Sequence, residues 1–356
     1  MKIAILGDTH FGMRGDSLEF HKYYHKFYKN VFFPFLKENN IDTIFQMGDL
    51  FDRRKFINFN SLFLCRKYFF DKLKENNITL HTLIGNHDIF YKNTLEVNST
   101  KMLLGEYDNI VMYDKPKTVE FDELKVDIIP WICSDNEEQI KEFIKNTMSH
   151  ICFGHFEIAG FEMDKGNICH EGFDKGLLVH YDVVLSGHFH HKSSDGQITY
   201  VGTPGEMTWA DHDDERGFHV FDTSTRELTF VKNPYRMFHK IVYDDSEQDF
   251  DFWKSKDFSN LKETYVKVVV LNKTNPFLFD YLVDQLYKTG VSDISIVEDF
   301  FEYEDGDDEE SVDQGKDTIS IINGVIDGIE VELDKNQLKN VIKEVYIEAL
   351  NVQQDS

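Results

Sequence analysis

Five short segments of this sequence concentrate residue types that bind metal ions. The segments are GDTH, GDLFD, GNHD, FGHFE and SGHFHH, and together they contain Asp8, His10, Asp49, Asp52, Asn86, His87, His155, His188 and His190. One such residue alone commonly caps a turn or makes a structural hydrogen bond. Five segments of the same kind instead indicate a pair of divalent cations that keep open positions for water and substrate. Because the set offers oxygen and imidazole ligands without a thiolate, it suits manganese or iron better than structural zinc.

An apolar run precedes each of these segments and predicts a buried strand. The runs cover residues 2–6, 43–47, 79–84, 150–153 and 182–185. Between the first three runs, apolar residues at helical spacing predict helices within 20–31 and 62–73. This order predicts a mostly parallel sheet whose strands bring the five segments to one edge, at their carboxyl ends. Short strands within 111–131 and 197–231 predict a second, more antiparallel sheet packed on the first.

The last third of the chain follows a different plan. A strand at 265–271, a helix at 277–288 and a strand at 293–297 predict a small α/β unit. Residues 298–313 then contain ten acidic side chains and no basic one, which is typical of a solvated linker. A capping-box pattern begins an amphipathic helix at 334–350. That helix docks either on this chain's own core or on a partner, and the sequence favours neither.

Composition excludes several classes of protein. The chain has 356 residues, of which 41% are hydrophobic, so it can bury a large core. A net charge of −26 argues against a nucleic-acid coat or a polybasic membrane-binding protein, although residues 1–100 carry 14 basic and 11 acidic side chains. No apolar stretch approaches the roughly 18 residues of a membrane span, and the beginning turns polar too early for a signal peptide. We therefore expect a cytoplasmic protein (host cytoplasm if phage-encoded) with four buried, reduced cysteines.

The ordered series of segments resembles the signature blocks of the calcineurin-like metallophosphoesterases over residues 1–230. Within that superfamily, GDTHFG, GDLFDRR and FGHFEIAG resemble SbcD-type DNA repair nuclease subunits, including their phage form. The resemblance implies an α/β fold, a two-sheet sandwich flanked by helices, with a small α/β capping domain and a C-terminal helical tail. It implies a nuclease domain at 1–233, a capping domain that positions DNA at 234–297, an acidic linker at 298–317 and an ATPase-binding helical segment at 318–356.

The same resemblance implies a role for each site residue. It implies two Mn²⁺ ions, with Mg²⁺ or Fe²⁺ as alternatives. The implied ligands are Asp8, His10 and His190 for the first ion, Asn86, His155 and His188 for the second, and Asp49 as the bridge between them. His87 is not a ligand in the family; it faces the scissile phosphate and stabilises the transition state or protonates the leaving oxygen. Asp52 orients His87 in related phosphatases, so we expect an Asp52–His87 pair.

The implied function is metal-dependent hydrolysis of DNA, by an exonuclease and endonuclease that acts in double-strand break repair and recombination. The family implies a homodimer paired through its N-terminal helices, and an SMC-like ATPase partner of the SbcC type bound by the C-terminal helix. DNA phosphates require cations at the contacts, and Arg53, Arg54 and Arg14 lie beside the blocks.

Two other functions stay open. The first is a phosphomonoesterase or protein-phosphatase-like enzyme, although a compact phosphatase would not need an accessory domain and a tethered helix. The second is a metal-bound scaffold without activity, against which the complete ligand set and His87 argue. No GxxxxGK[ST] motif occurs, so we expect no P-loop ATP site in this chain.

Overall fold

The structure is a computed structural model that describes residues 1–164, 167–170 and 172–298. The chain divides into two units, Met1–Asp307 and Asp308–Ser356, and every described residue belongs to the first. The strands are β1 (Lys2–Leu6), β2 (Thr43–Gln46), β3 (Thr79–Leu83), β4 (Ile110–Tyr113), β5 (Lys117–Phe121), β6 (Leu124–Ile129), β7 (Ile151–His155), β8 (Glu162–Asp164), β9 (Asn167–Ile168), β10 (Val183–Gly187), β11 (Ser193–Ser194), β12 (Ile198–Tyr200), β13 (Gly217–Asp222), β14 (Leu228–Lys232), β15 (Phe238–Asp244), β16 (Tyr265–Asn272) and β17 (Asp293–Val297).

Helices lie between the strands in most of the chain. They are the single turn α1 (Met13–Asp16), α2 (Leu18–Phe27), α3 (Phe33–Glu38), α4 (Phe59–Cys65), α5 (Asp71–Glu75), α6 (Ser99–Leu104), α7 (Glu137–Asn146), α8 (Phe250–Ser255) and α9 (Pro276–Thr289). The turns Tyr28–Phe32 and Arg66–Phe70 are π-helical and join α2 to α3 and α4 to α5. Among the described residues, none of these helices has both the length and the apolar character to cross a membrane.

Two six-stranded sheets pack face to face. The first has the order β14-β13-β1-β2-β3-β4 and the second has the order β11-β12-β10-β7-β6-β5. On β1 the side chains alternate: Ile3 and Ile5 lie in the core between the sheets, whereas Ala4 and Leu6 lie in the core beneath the helices. This alternation follows from the two-residue period of a strand. It makes the first sheet a buried layer between α2–α5 on one side and the second sheet on the other.

The predicted α/β sandwich is confirmed, but the predicted distribution of strands between its sheets is wrong. Strands β13 and β14 belong to the first sheet, where β13 pairs antiparallel with β1. Strands β7 and β10 lie at the centre of the second sheet, parallel to each other. Apolar runs show that a strand is buried, but they do not show with which strand it pairs. The five segments therefore lie at the edges of two sheets rather than one.

A third sheet, of the all-parallel strands β15, β16 and β17, follows β14. Its strands and helix match the strands predicted at 265–271 and 293–297 and the helix predicted at 277–288. It has a hydrophobic core of its own, in which Trp253, Val268 and Leu282 are buried together. The acidic linker beyond Glu298 and the helix predicted at 334–350 lie outside the described residues.

Arg216 links the two six-stranded sheets. It directly precedes β13 of the first sheet, and its guanidinium donates to the main-chain carbonyl of His190 in the loop after β10 of the second. The same guanidinium donates to Asp211 at 2.6 Å and lies 2.8 Å from Asp214. Because Arg216 is only 4% exposed, its removal would leave the neighbouring carboxylates without a cation in a place that water reaches poorly.

We expect Arg216→Met to lower the free energy of unfolding by about 3–5 kcal/mol, because the carboxylate of Asp211, which is 3% exposed, would lose its cation while staying shielded from water. Arg226→Met is the matched control, since Arg226 pairs with Asp182 at 3.1 Å on the surface and should cost less than about 1 kcal/mol. Urea denaturation of both variants, without added metal, measures the difference. Equal losses of stability would contradict the role given to Arg216.

Glu206 joins the sandwich to the third sheet. One of its carboxylate oxygens accepts from the main-chain N–H groups of Met237 and Phe238, at 2.6 and 2.9 Å, where β15 begins. The other carboxylate oxygen, Oε1, is buried without a hydrogen-bond partner. Burial raises the pKa of Glu206 to about 7, so the folded state binds its proton more tightly than the unfolded chain does.

Because the pKa of Glu206 is higher in the folded state than in the unfolded chain, its protonated carboxyl stabilises the fold at a pH below the unfolded pKa. That stabilisation is lost as the pH rises through about 7. Glu206→Gln keeps an acceptor for Met237 and Phe238 but cannot ionise. We therefore expect the variant to gain about 3 kcal/mol relative to the wild type between pH 4.5 and pH 8. Chemical denaturation across that range tests this, and a difference that does not change with pH would refute it.

Candidate metal centre

The site lies where the carboxyl ends of both sheets' central strands meet. Asp8, Asp49 and Asn86 follow β1, β2 and β3 of the first sheet, which are adjacent and parallel. His155 ends β7 of the second sheet, and His188 follows β10. Contacts from both histidines join the two sheets here. The main-chain N–H of His188 donates to Asp8 at 3.0 Å, and His155 Nε2 lies 3.3 Å from Asp49 Oδ2.

One half of the site is formed by Asp49, Asn86, His155 and His188. The amide oxygen of Asn86 lies 3.0 Å from His155 Nε2 and 2.9 Å from His188 Nδ1. His155 Nδ1 donates to the carbonyl of Met47 at 2.7 Å, which orients the ring so that Nε2 faces Asp49. Three ligand atoms, from Asp49, His155 and His188, lie within 4.8 Å of one another. This half contains the residues expected around the second ion.

The other half contains Asp8, His10 and His190. Their ligand atoms also lie within 4.8 Å of one another, with 3.1 Å between His10 Nε2 and His190 Nε2 and 4.0 Å between His190 Nε2 and Asp8 Oδ2. Asp49 Oδ2 lies 3.8 Å from His10 Nε2, so the same carboxylate oxygen faces both halves. The seven residues predicted as ligands are therefore brought together, with Asp49 between the two groups.

The chemistry of these donors fits a pair of divalent cations. The carboxylates of Asp8 and Asp49 are 1% exposed, and ring nitrogens of three imidazoles lie 3.3 to 4.0 Å from their oxygens. Acceptor atoms packed this closely repel one another unless protons or cations lie between them. Carboxylate and amide oxygens combined with imidazole nitrogens, and no sulfur, suit Mn²⁺ or Fe²⁺ better than a closed structural zinc site.

The backbone of the site is strained at three of the predicted ligands. His10, Asp49 and His188 have φ values of 41°, 53° and 87°, in the left-handed region that side chains with a Cβ rarely adopt. Such conformations cost on the order of 1–3 kcal/mol each and persist where the surroundings impose them. All three lie in tight turns after strand ends, where the chain must reverse immediately to aim the side chain into the site.

Two glycines allow the ligands to approach each other. A Cβ on Gly85 would lie 2.1 Å from Asp49 Oδ1, and one on Gly187 would lie 2.6 Å from Asp8 Oδ1. Any side chain at either position would therefore displace a carboxylate of the site. This is a steric reason for the glycine in the GNHD and SGHFHH segments.

His87 lies beside the ligand groups, and its contact with Asp52 differs from the predicted one. His87 Nδ1 donates to the main-chain carbonyl of Asp52 at 2.6 Å, so the backbone rather than the carboxylate orients the ring. The Asp52 carboxylate instead lies 3.5 Å from His10 Nδ1. This arrangement fixes the tautomer of His87 and leaves its Nε2 for another partner. A ring nitrogen of His87 also lies within 4.8 Å of ligand atoms of His10 and Asp49.

Asp88 is a site residue to which sequence reasoning gave no role. Its carboxylate is fully buried and accepts from the main-chain N–H groups of Gly85, Asp49, Leu50 and Phe51, at 2.9 to 3.4 Å. It therefore holds the turn that contains Asp49 against the turn that contains His87. The signal was present in GNHD, since an Asp in a tight turn commonly accepts from nearby main-chain N–H groups.

Burial and the neighbouring charges raise the pKa of some groups in the site and lower the pKa of others. Burial raises the pKa of Asp8 to about 7. For Asp49 burial acts in the same direction, but the charges of His155 and His87 outweigh it and hold the pKa well below its usual range. Burial opposes charge on the imidazoles, yet Asp49 and its neighbours raise the pKa of His155 to about 9. Burial lowers the pKa of His188 to about 3 and that of His87 below its usual value.

The three arginines predicted to contact DNA lie near the site in different environments. Arg53 is half-buried, donates to Asp16 at 3.0 Å and lies over the ring of Phe56 at 4.8 Å. Arg54 is also half-buried, and Arg14 has a left-handed φ of 53° in the turn α1. The two segments that carry these arginines are joined by the contact between Arg53 and Asp16.

Comparison with known proteins agrees with this geometry. Residues 1–192 match the model of the family described as calcineurin-like phosphoesterase. Exonuclease subunit 1 of Enterobacteria phage T4 is 35% identical over 353 residues, which cover 98% of this chain and 99% of that protein. A solved structure of glutamine-dependent NAD⁺ synthetase from Acinetobacter baumannii with ADP aligns over 99% of this chain and 72% of that one. Its identity is 8% and its TM-score 0.25, so the two chains share no demonstrated fold.

The family match covers all five segments, and the phage relative extends the similarity over nearly the whole chain. Both findings confirm the resemblance recognised in the signature blocks. The chain belongs to the calcineurin-like phosphoesterase family.

Proposed function

We propose that this protein is a metal-dependent DNA nuclease, the catalytic subunit of a complex that acts in DNA repair and recombination. The observation that carries the proposal is the convergence of seven ligand residues and His87 on one site. The relative named exonuclease subunit 1, matched over nearly its whole length, supports a nuclease among the activities open to this family. We propose Mn²⁺ as the metal, with two ions held as the sequence predicts.

The proposed roles follow from the contacts. Asp8, His10 and His190 would hold one ion, Asn86, His155 and His188 the other, and Asp49 both. When bound, such ions lower the pKa of a coordinated water and neutralise charge on phosphate oxygens. His87, oriented by the carbonyl of Asp52, presents Nε2 to the leaving oxygen of the substrate. Arg53 and Arg54 would bind phosphates next to the site, and Arg14 would bind one beside the first block.

The complex that we propose has two kinds of interface. Exposed apolar side chains on the N-terminal helices, Leu18, Phe59 and Phe63, are 50%, 87% and 58% exposed and support a homodimer through these helices. An SMC-like ATPase of the SbcC type would bind the segment 318–356, after the acidic linker 298–317. The domain at 234–297 would position DNA. The word subunit in the relative's name supports assembly with a partner.

We expect His87→Ala to reduce Mn²⁺-dependent cleavage of end-labelled DNA by about 10²–10⁴-fold while the metal content stays unchanged, because the residue acts on the leaving group and not on the ions. Asp49→Asn should instead remove metal and activity together. His150→Ala, at an exposed histidine, is the matched control. Metal content by mass spectrometry and cleavage of single-stranded and duplex DNA are measured side by side, with a chromogenic phosphomonoester to test the phosphatase alternative. Loss of metal in His87→Ala would make that residue a ligand.

We expect deletion of residues 318–356 to spare Mn²⁺-dependent cleavage by the isolated protein and to abolish binding of the ATPase, because the ligand residues all lie before Lys192. A pull-down with the full-length and shortened chains measures binding, and the nuclease assay measures integrity. Undiminished capture of the ATPase by the shortened chain would remove the assignment.

A further inference from the structure

Three exposed aromatic rings lie on the two segments that flank His87. Phe56 follows the GDLFD block and is 63% exposed; Phe90 and Tyr91 follow the GNHD block and are 37% and 53% exposed. We call Phe56, Phe90 and Tyr91 the aromatic rim. Large rings in water cost free energy unless a partner covers them, and three of them beside a catalytic site indicate a ligand that enters that site.

The loop that carries Phe90 and Tyr91 is closed at its base by backbone pairing and packing. Ile89 is fully buried and forms a bridge with Asn98, and the N–H of Phe90 donates to the carbonyl of Val97 at 3.0 Å. Leu95 packs in the same small core as Ile89, so the loop from 89 to 98 is closed at its base. Phe90 and Tyr91 lie just beyond that closure, with their rings 4.8 Å apart and nearly perpendicular.

Cations of the first segment lie against rings of both segments. The guanidinium of Arg53 lies 4.8 Å from the centre of the Phe56 ring, and Lys55 Nζ lies 6.0 Å from that of Phe90, which spans the gap between the segments. The hydrogen bond from His87 to the carbonyl of Asp52 joins the same two segments beneath. A run of three cations, 53–55, is unusual in a chain of net charge −26 and is complementary to a polyanion.

We propose that the aromatic rim stacks on unpaired nucleobases next to the scissile phosphate. Exposed rings alternating with cations are the means by which proteins bind single strands, since every base has a face to stack and every nucleotide has a phosphate to pair. The faces of bases inside a duplex are already covered by their neighbours, so the rim accepts a strand only where it is unpaired. This inference rests on the proposed nuclease function and adds to it the form in which the strand enters the site.

The test compares wild type with the triple variant Phe56→Ala, Phe90→Ala and Tyr91→Ala in the full-length protein. The ligand is a short single-stranded oligonucleotide, intact or with abasic sites in place of its terminal nucleosides, at several salt concentrations. We expect wild type to bind the intact strand about 5- to 100-fold more tightly than the abasic strand, and the variant to lose that preference. The salt dependence of the binding constant should be unchanged in the triple variant, because stacking releases no counterions. It should be smaller in Arg53→Ala, because that variant lacks a cation that pairs with a phosphate.

The controls separate this inference from its alternatives. Met148→Ala, at an apolar side chain after α7 that is 86% exposed and lies outside the site and the proposed DNA-positioning domain, should behave as wild type. Equal binding of intact and abasic strands by wild type, or a preference retained by the triple variant, would overturn the inference while leaving the nuclease function intact. Absence of any Mn²⁺-dependent DNA cleavage by wild type would overturn both.

Two further measurements assign the rings if DNA is not their ligand. Light scattering measures the oligomeric state of each single variant. If Phe56→Ala alone dissociated a dimer, Phe56 would belong to the dimer interface and not to the aromatic rim. The second measurement is capture of the ATPase by the triple variant. If capture decreased while DNA binding stayed unchanged, the rings would form a protein-docking surface, and the proposal would be overturned.

Discussion

The carboxylate of Asp49 is the group on which both halves of the site depend. Its Oδ2 faces His10 in one half and His155 in the other, while its Oδ1 accepts from the N–H of His87 at 2.8 Å. The main chain of Asp49 is held as firmly, because its N–H donates to Asp88 and its carbonyl accepts from Thr9 and His10 at 3.1 Å. A buried anion fixed in this way requires cations or protonated imidazoles around it, and the rest of the centre supplies places for them.

The position of this carboxylate explains why two sheets are needed. Strands β1, β2 and β3 deliver oxygen-rich turns, whereas β7 and β10 deliver histidines, and only the packing of one sheet on the other brings the two sets together. Arg216 secures the join from outside the site, because it precedes a first-sheet strand and holds the carbonyl of His190 in a second-sheet loop. Glu206, in the same stretch of chain, holds the start of the third sheet. One connecting segment therefore serves all three sheets.

Much of the fold and site could be predicted from the sequence, for identifiable reasons. Buried strands such as β1 and β3 are continuous apolar runs, and each ends in a turn with a chemically distinctive residue, so their existence and order are encoded locally. Pairing is not local, and the assignment of β13 to the first sheet could not be read from its alternation of side chains. The carbonyl of Asp52 as the partner of His87 was missed for a similar reason, since every residue has a carbonyl and no residue type identifies it. The roles of Asp88 and Arg216 depend on contacts between distant segments.

The left-handed turns at His10, Asp49 and His188 have a consequence for the history of such a protein. Glycine or asparagine would relieve the backbone at each position and raise stability, so random drift favours their appearance once selection for chemistry stops. A lineage that had become a passive scaffold would lose these three residues early, and would become more thermostable as it did so. A chain that has a strained residue other than glycine at all three positions is therefore less stable than its fold would allow.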